Sequence, residues 1–266
     1  MASPKSFSMQ GALDIGIFSL ETNCLEAYLE DCLTTNIELT AEKVYTMGKG
    51  GSYITGFSHS KRIPVTVKHG YPTTEILAIQ SGQEVVIGTN TNVVKFEKLK
   101  VTSVTATTTY TALGTAGAEI GAVYLLSGKS FDTKFTQAAT VAATKFTYTP
   151  GTKVITFDAL AIDDNEYIIV AYNYTADATA QTIKIDTDTF AGSKKVVMTG
   201  DAVDNCTDKH YKAQLIFRKM DISDDMTLAL DETGEPIVMD IAMQALASCE
   251  SDTLMEWVIF DEDLAI

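Results

Sequence analysis

The last 46 residues constrain this chain most. From Asp221 to Ile266 there are 13 acidic residues and neither a Lys nor an Arg. A stretch so charged stays disordered when it is also poor in apolar residues, because it cannot bury enough surface to offset the entropy of ordering. Here the charges are threaded between apolar β-formers, in the runs MTLAL, PIVMDIAMQAL and LMEWVIF. Such runs demand a folded, strongly negative β surface. A surface of that sign repels nucleic acid and anionic lipid.

The acidity is regional. The formal charge is -15, yet residues 1–220 hold 22 acids against 20 bases. A chain of 266 residues is long enough for one large β domain or two smaller ones. Thr, Ala, Val and Ile are abundant and only 5 Pro interrupt the chain, which points to a strand-rich protein. Cys24, Cys32, Cys206 and Cys249 form no CxxC pair and are expected as free, mostly buried thiols. The opening MASPKSFSMQ lacks the apolar centre of a secretory signal, and no run of 18 apolar residues marks a membrane span. No membrane partner is therefore expected, and the glycosylation sequons at Asn173 and Asn205 read as chance matches.

Residues 1–12 read as a flexible polar arm and 12–20 as a first strand. Leu25, Tyr28, Leu29, Cys32 and Leu33 recur at helical spacing, so a short helix is expected over about 23–33, capped by Thr22 or Asn23. Val44, Tyr45 and Met47, then Gly48–Gly51, then Tyr53, Ile54 and Phe57 read as strand, turn and strand. Ile63, Val65 and Val67 alternate with Pro64, Thr66 and Lys68, the pattern of a half-buried strand. A second short helix is expected from Glu75 to about Ser81, ending near Gly82. Residues 84–175 supply several strands, including VKFEKLKV, AVYLL, KFTYT and EYIIVAYNY, and 182–199 two more around Phe190. YKAQLIFRKM, MTLAL, IVMDIAMQAL and LMEWVIF complete the set, and Trp257 in the last is expected to pack in the core. No repeat of fixed period is present.

No residue set carries recognisable chemistry. Gly48–Ser52 lacks the spacing and following helix of a phosphate loop, and glycines there suit a hairpin turn instead. Ser58 and His59 are sequence neighbours, which on a strand point to opposite faces, so they make no nucleophile–base pair. Cys206 and His210, with Asp201, Asp204 and Asp208 nearby, lack the second ligand pair that zinc would need. The acidic pairs Asp163/Asp164, Asp186/Asp188 and Asp224/Asp225 sit at expected turns and lack opposed partners for glycoside hydrolysis. Lys61 and Arg62, like Lys194 and Lys195, are isolated dipeptides rather than a nucleic-acid face. No catalytic residue, metal or cofactor is expected. What the sequence does carry is surplus strand edge, which has to be paired somewhere, and self-assembly is one resolution.

The order of the C-terminal block resembles the closing segment of bacteriophage tail tube (major tail) proteins. Tyr211–Met220 leads into the acidic turn Asp221–Asp225, then a short strand, then the Gly234–Pro236 turn, then IVMDIAMQAL and a last strand. Gly234, Pro236, Met239 and Asp240 occupy the matching positions. The block Lys49–Tyr53, Gly56–Ser58 and Lys61–Ile63 is similar to the hairpin that lines the lumen in that family. The resemblance covers residues 10–80 and 180–262. It implies a mainly β fold: a tail-tube-like β-barrel or sandwich with one or two short flanking helices. Segments 13–94 and 176–266 would form the core, and 95–175 a β-rich insertion or subdomain.

It also implies a virion structural protein, not an enzyme, that forms stacked hexameric rings. The implied partners are further copies of the chain, the tape measure protein, tail terminator and baseplate proteins, a sheath in contractile tails, and DNA in passage. Tyr53, Phe57, Ile63 and Val65 are the expected self-association residues, and the arm at 1–12 is a candidate bridge between rings. Asp221, Asp224, Asp225, Glu235 and Asp240 are candidates for an acidic lumen, or for a surface facing solvent or a neighbour. The rivals are a capsid decoration or other phage structural protein on a β-sandwich, or a carbohydrate-binding β-sandwich module.

Overall fold

A computed structural model of the protein describes residues 6–30, 32–88, 91–127, 130–227, 238–249 and 251–261, and for residues 10–12 the backbone alone. The chain divides into two compact units, one made of residues 1–85 and 183–266 and the other of residues 86–182. The boundaries expected at 94/95 and 175/176 thus lie inside the second unit, within one strand and at the end of another.

The first unit opens with strands β1 (Phe7–Phe18), β2 (Leu25–Leu29), β3 (Cys32–Ile37), β4 (Thr40–Met47), β5 (Tyr53–Arg62) and β6 (Pro64–His69), then helix α1 (Thr74–Ser81). The second unit holds β7 (Val86–Ile87), β8 (Asn92–Lys100), β9 (Thr105–Thr107), β10 (Ala122–Ser127), β11 (Ser130–Gln137), β12 (Lys145–Thr149), β13 (Val154–Thr156), β14 (Tyr167–Thr175) and β15 (Gln181–Thr182). The chain then returns to the first unit with β16 (Lys194–Asp204), β17 (His210–Ile222), β18 (Met239–Ala245) and β19 (Glu256–Phe260).

In the first unit the sheet runs β2-β1-β16-β17-β18-β6-β3, all antiparallel, and curls into a nearly closed barrel. β17 forks it. Lys212–Ile216 pair with β19, while Met220–Ile222 on the same edge pair with β18. Period-2 alternation fixes the inward face. Met239, Ile241, Met243 and Ala245 of β18 are buried, and Val65 and Val67 of β6 lie in register with Met243 and Ile241. Fully buried side chains of this kind each contribute roughly 1.5–3 kcal/mol. α1 forms as the sequence predicts. The Thr73 hydroxyl accepts from the Ile76 amide, and Gly82 ends the helix at φ 66, where Gly82 N donates to Ile79 O and Gln83 N to Ala78 O. A Cβ on Gly82 would also stand 2.1 Å from Phe190 O, so this position requires glycine on two counts.

Several expectations are corrected. Residues 23–33 are not helical; Leu25–Leu29 and Cys32–Ile37 are strands. The helical spacing was coincidental, because Leu25, Tyr28 and Leu33 are exposed, while Ala27 and Leu29 point inward at period 2 and Cys32 begins the next strand. The arm is strand from Phe7 onward, with Phe7 opposite Asp204 and Met9 opposite Ala202. Only Cys32 is buried; Cys24, Cys206 and Cys249 are exposed thiols. Trp257 stands 49% exposed with its ring edge-on to Phe7, since β19 is a side branch of the sheet rather than a member of the barrel wall. The MTLAL strand falls mostly outside the described residues, and its first two residues, Met226 and Thr227, are not strand. Of the two strands expected over 182–199, β16 is found there, while β15 reaches only the first residue, Thr182.

The second unit is a sheet in the order β8-β14-β10-β11-β12-β13-β9, with β11 and β12 parallel and a small β7–β15 pair at its ends in the chain. Its core centres on Phe135, Phe146 and Phe157, with Phe157 packing edge-on against Phe135 at 5.1 Å. Polar groups that enter this core are satisfied. The hydroxyls of Tyr148 and Tyr172 accept from the amides of Ala112 and Tyr110, and Glu97 Oε2 accepts from the Thr109 amide at 3.1 Å.

Candidate assembly surface

The first unit carries one element that it does not pack. β4 and β5 pair only with each other, and every residue from Thr40 to Met47 and from Tyr53 to Arg62 is exposed. The turn between them uses the expected glycines. Gly48 N donates to Ser52 O at 2.8 Å, and Gly50 and Gly51 take φ values of 99 and 82. The ladder places Val44 opposite Phe57 and Tyr45 opposite Gly56, where the Tyr45 ring lies so close that a Cβ would meet it at 2.9 Å. The rings of Tyr45 and Tyr53 meet with centroids 4.9 Å apart and planes tilted by 49°. Phe57, Tyr53, Ile54 and Met47 are each more than 60% exposed. A lone two-stranded ribbon is marginal in water, and this one exposes more apolar surface than scattered single side chains would.

The hairpin is also electrostatically foreign to its unit. Thr40 to Arg62 contain four bases (Lys43, Lys49, Lys61 and Arg62) against one acid, Glu42. The rest of the first unit holds nine bases against 26 acids. Glu42 is engaged within the ribbon, 3.3 Å from His59 and 3.7 Å from Arg62, which leaves Lys43, Lys49 and Lys61 without an ion pair among the described residues.

Of the four residues expected at the self-association surface, Tyr53 and Phe57 stand on this ribbon. Ile63 and Val65 do not: they are 4% and 1% exposed in the unit's own core. Their alternation marks a strand whose apolar face is already covered by its own protomer. There they root the ribbon in the barrel, with Ile63 O accepting from Ala245 N at 3.1 Å. An apolar groove in the same unit, of about 630 Å³, lies between Met9, Leu13, Ile37, Leu39, Met255 and Trp257. Thr35 Oγ1 is buried beside it without a hydrogen-bond partner. The groove is not legible in the sequence because its lining comes from five separated segments.

The candidate acidic residues are partly gathered. Asp221, Asp224 and Asp225 line a concavity of about 390 Å³ with Ala242 and Gln244. Asp224 is held there by the Ala191 amide at 2.5 Å. Asp221 lies opposite Gln244, and Asp240 shares the non-core face of β18 with Gln244, so Asp221 and Asp240 are on one face of the barrel wall. Asp240 is 3.8 Å from Lys68, its neighbour across the ladder. Glu235 lies outside the described residues. Among those residues no group of three or more His, Cys, Asp or Glu is placed to hold a metal, and no helix is long and apolar enough to cross a membrane.

A nearly closed antiparallel barrel with an uncovered apolar ribbon defines a β structural protein. The chain belongs to the YomU/Tube protein family, which matches residues 8–260, and is thus a phage tail tube protein, a component of the virion tail. The match runs through the second unit as well as the first. No curated protein matches the chain.

Proposed function

We propose that the chain self-assembles into stacked, hexameric rings that form the tail tube and conduct DNA through an acidic bore. The observation that carries this reading is the ribbon Thr40–Arg62, apolar on its exposed surface and basic within an acidic unit. A neighbouring copy offers both complements, an acidic body and the groove at Trp257. Closing a ring of such contacts removes exposed apolar surface and strand edge together. Asp221 and Asp240, on one non-core face, are the candidates for the bore, where like charge keeps a polyanion from adhering. The work is scaffolding and electrostatic non-adhesion rather than catalysis. The partners that follow are the tape measure protein inside the tube, terminator and baseplate proteins at its ends, and a sheath where the tail contracts.

Negative-stain electron microscopy of the purified protein at low and high concentration tests the reading. Rings or tubes with a central channel are expected. Phe57→Asp, a change at a 62% exposed position, is expected to abolish them while leaving a folded monomer with an unchanged circular dichroism spectrum. Normal polymers from that variant would overturn the role of the ribbon.

A further inference from the structure

The second unit has an open sheet face whose composition does not suit water. Opposite its core, one cross-strand row reads Lys98, Ile169, Tyr124, Lys134 across β8, β14, β10 and β11. The next row reads Lys100, Tyr167, Leu126, Phe131. A solvated sheet face ordinarily carries polar residues at these positions. Here the centre is apolar and lysines stand on the flanking strands. Phe131 is 63% exposed, and Phe96, one position further along β8's open side, is 73% exposed. Lys98, Lys100 and Lys134 have no ion-pair partner among the described residues; Lys98 lies 4.6 Å over the Tyr167 ring. One acid, Asp132, shares β11.

From this we infer that the face docks on the first unit of a neighbouring copy, on the surface around β2. That inference rests on the tube reading, because the homopolymer keeps a neighbour at high effective concentration. Charge selects the occupant. The first unit holds 13 bases against 27 acids, the second seven against eight, so face-to-face pairing of two second units would set lysine against lysine. Geometry argues against a polyanion. The two flanking strands stand roughly 14 Å apart at the spacing of neighbouring strands, and the middle is hydrocarbon, whereas nucleic acid wants cations along its path. A protein surface with an apolar centre and an acidic margin fits. β2 supplies one: Leu25 and Tyr28 are 54% and 52% exposed, flanked along the chain by the exposed Glu21 and Glu30, while Glu26 is held by Lys194 at 2.7 Å.

Zero-length carbodiimide coupling tests this on particles assembled from an equal mixture of ¹⁴N- and ¹⁵N-labelled full-length chains. Mixed-isotope links from Lys98 or Lys134 to Glu21 or Glu30 are expected. Phe131→Asp, which keeps both lysines and leaves the core intact, should lower their yield roughly fivefold or more. Links confined to one isotope, links to other carboxylates, or lysines left uncoupled in intact tubes would each overturn the docking while leaving the tube reading standing. A chain that never assembles would overturn both.

Discussion

The two units bury their cores by the same period-2 alternation and differ in what they leave outside. The first concentrates the charge, 27 acids against 13 bases, and leaves a whole ribbon uncovered. The second is near neutral and pairs all of its strands into sheets, leaving a mixed apolar and basic face. The difference separates folding from assembly. The second unit builds its β core at near-neutral charge, so acidity is no requirement of a β core, and under the proposed function it belongs to what the first unit meets.

The largest effect that would break this comparison comes from the two cores. Phe217→Ala in the first unit and Phe135→Ala in the second each remove a side chain with no exposed surface, and each is expected to cost about 3–5 kcal/mol. Calorimetry in the Phe57→Asp background, which keeps the chain monomeric, should show two transitions with each substitution lowering its own. A single transition moved equally by both would mean that the units unfold as one. A smaller effect sharpens the contrast in charge. Lys61→Glu removes one of the ribbon's unpaired bases, a contact worth roughly 0.2–1 kcal/mol if it meets an acidic neighbour. Light scattering should then show a higher concentration needed for assembly and a weaker dependence on salt. An unchanged salt dependence would deny the ribbon's charge a role.

The smallest effect lies inside the second unit, at Glu119. Burial would raise its pKa, but hydrogen bonds from the Gln137 side chain and from backbone amides, including Gly117, outweigh this and hold it below the ordinary carboxylate value. A depressed folded pKa means that the ionised group contributes stability above its unfolded value, and that the contribution is lost as pH falls through the folded one. Gln137→Met is expected to move the Glu119 titration upward, read by NMR, with no change in the first unit.

The sequence shows β6, α1 and the glycine turn plainly because each is governed by local rules: alternation, a Thr cap, φ above zero. It hides β2 because Leu25, Tyr28 and Leu29 satisfy a helical spacing, and only pairing with Ile15 to Phe18 of β1 decides for strand. It cannot divide Ile63 and Val65 from Tyr53 and Phe57, since alternation marks an apolar face without naming what covers it. The bases of the ribbon look scattered until the fold separates them from the acidic body. The Lys98 and Lys100 rows exist only once four strands are in register.

The uncovered ribbon also sets how a tube of this chain would begin. Ordering a residue costs about 1–2 kcal/mol of backbone entropy, and a first pair of copies offsets that cost with one contact only. A copy arriving at a finished ring finds several at once. Starting is then slow and lengthening is fast, so tubes of the purified chain would follow a lag that shortens steeply with concentration and that a preformed ring would remove.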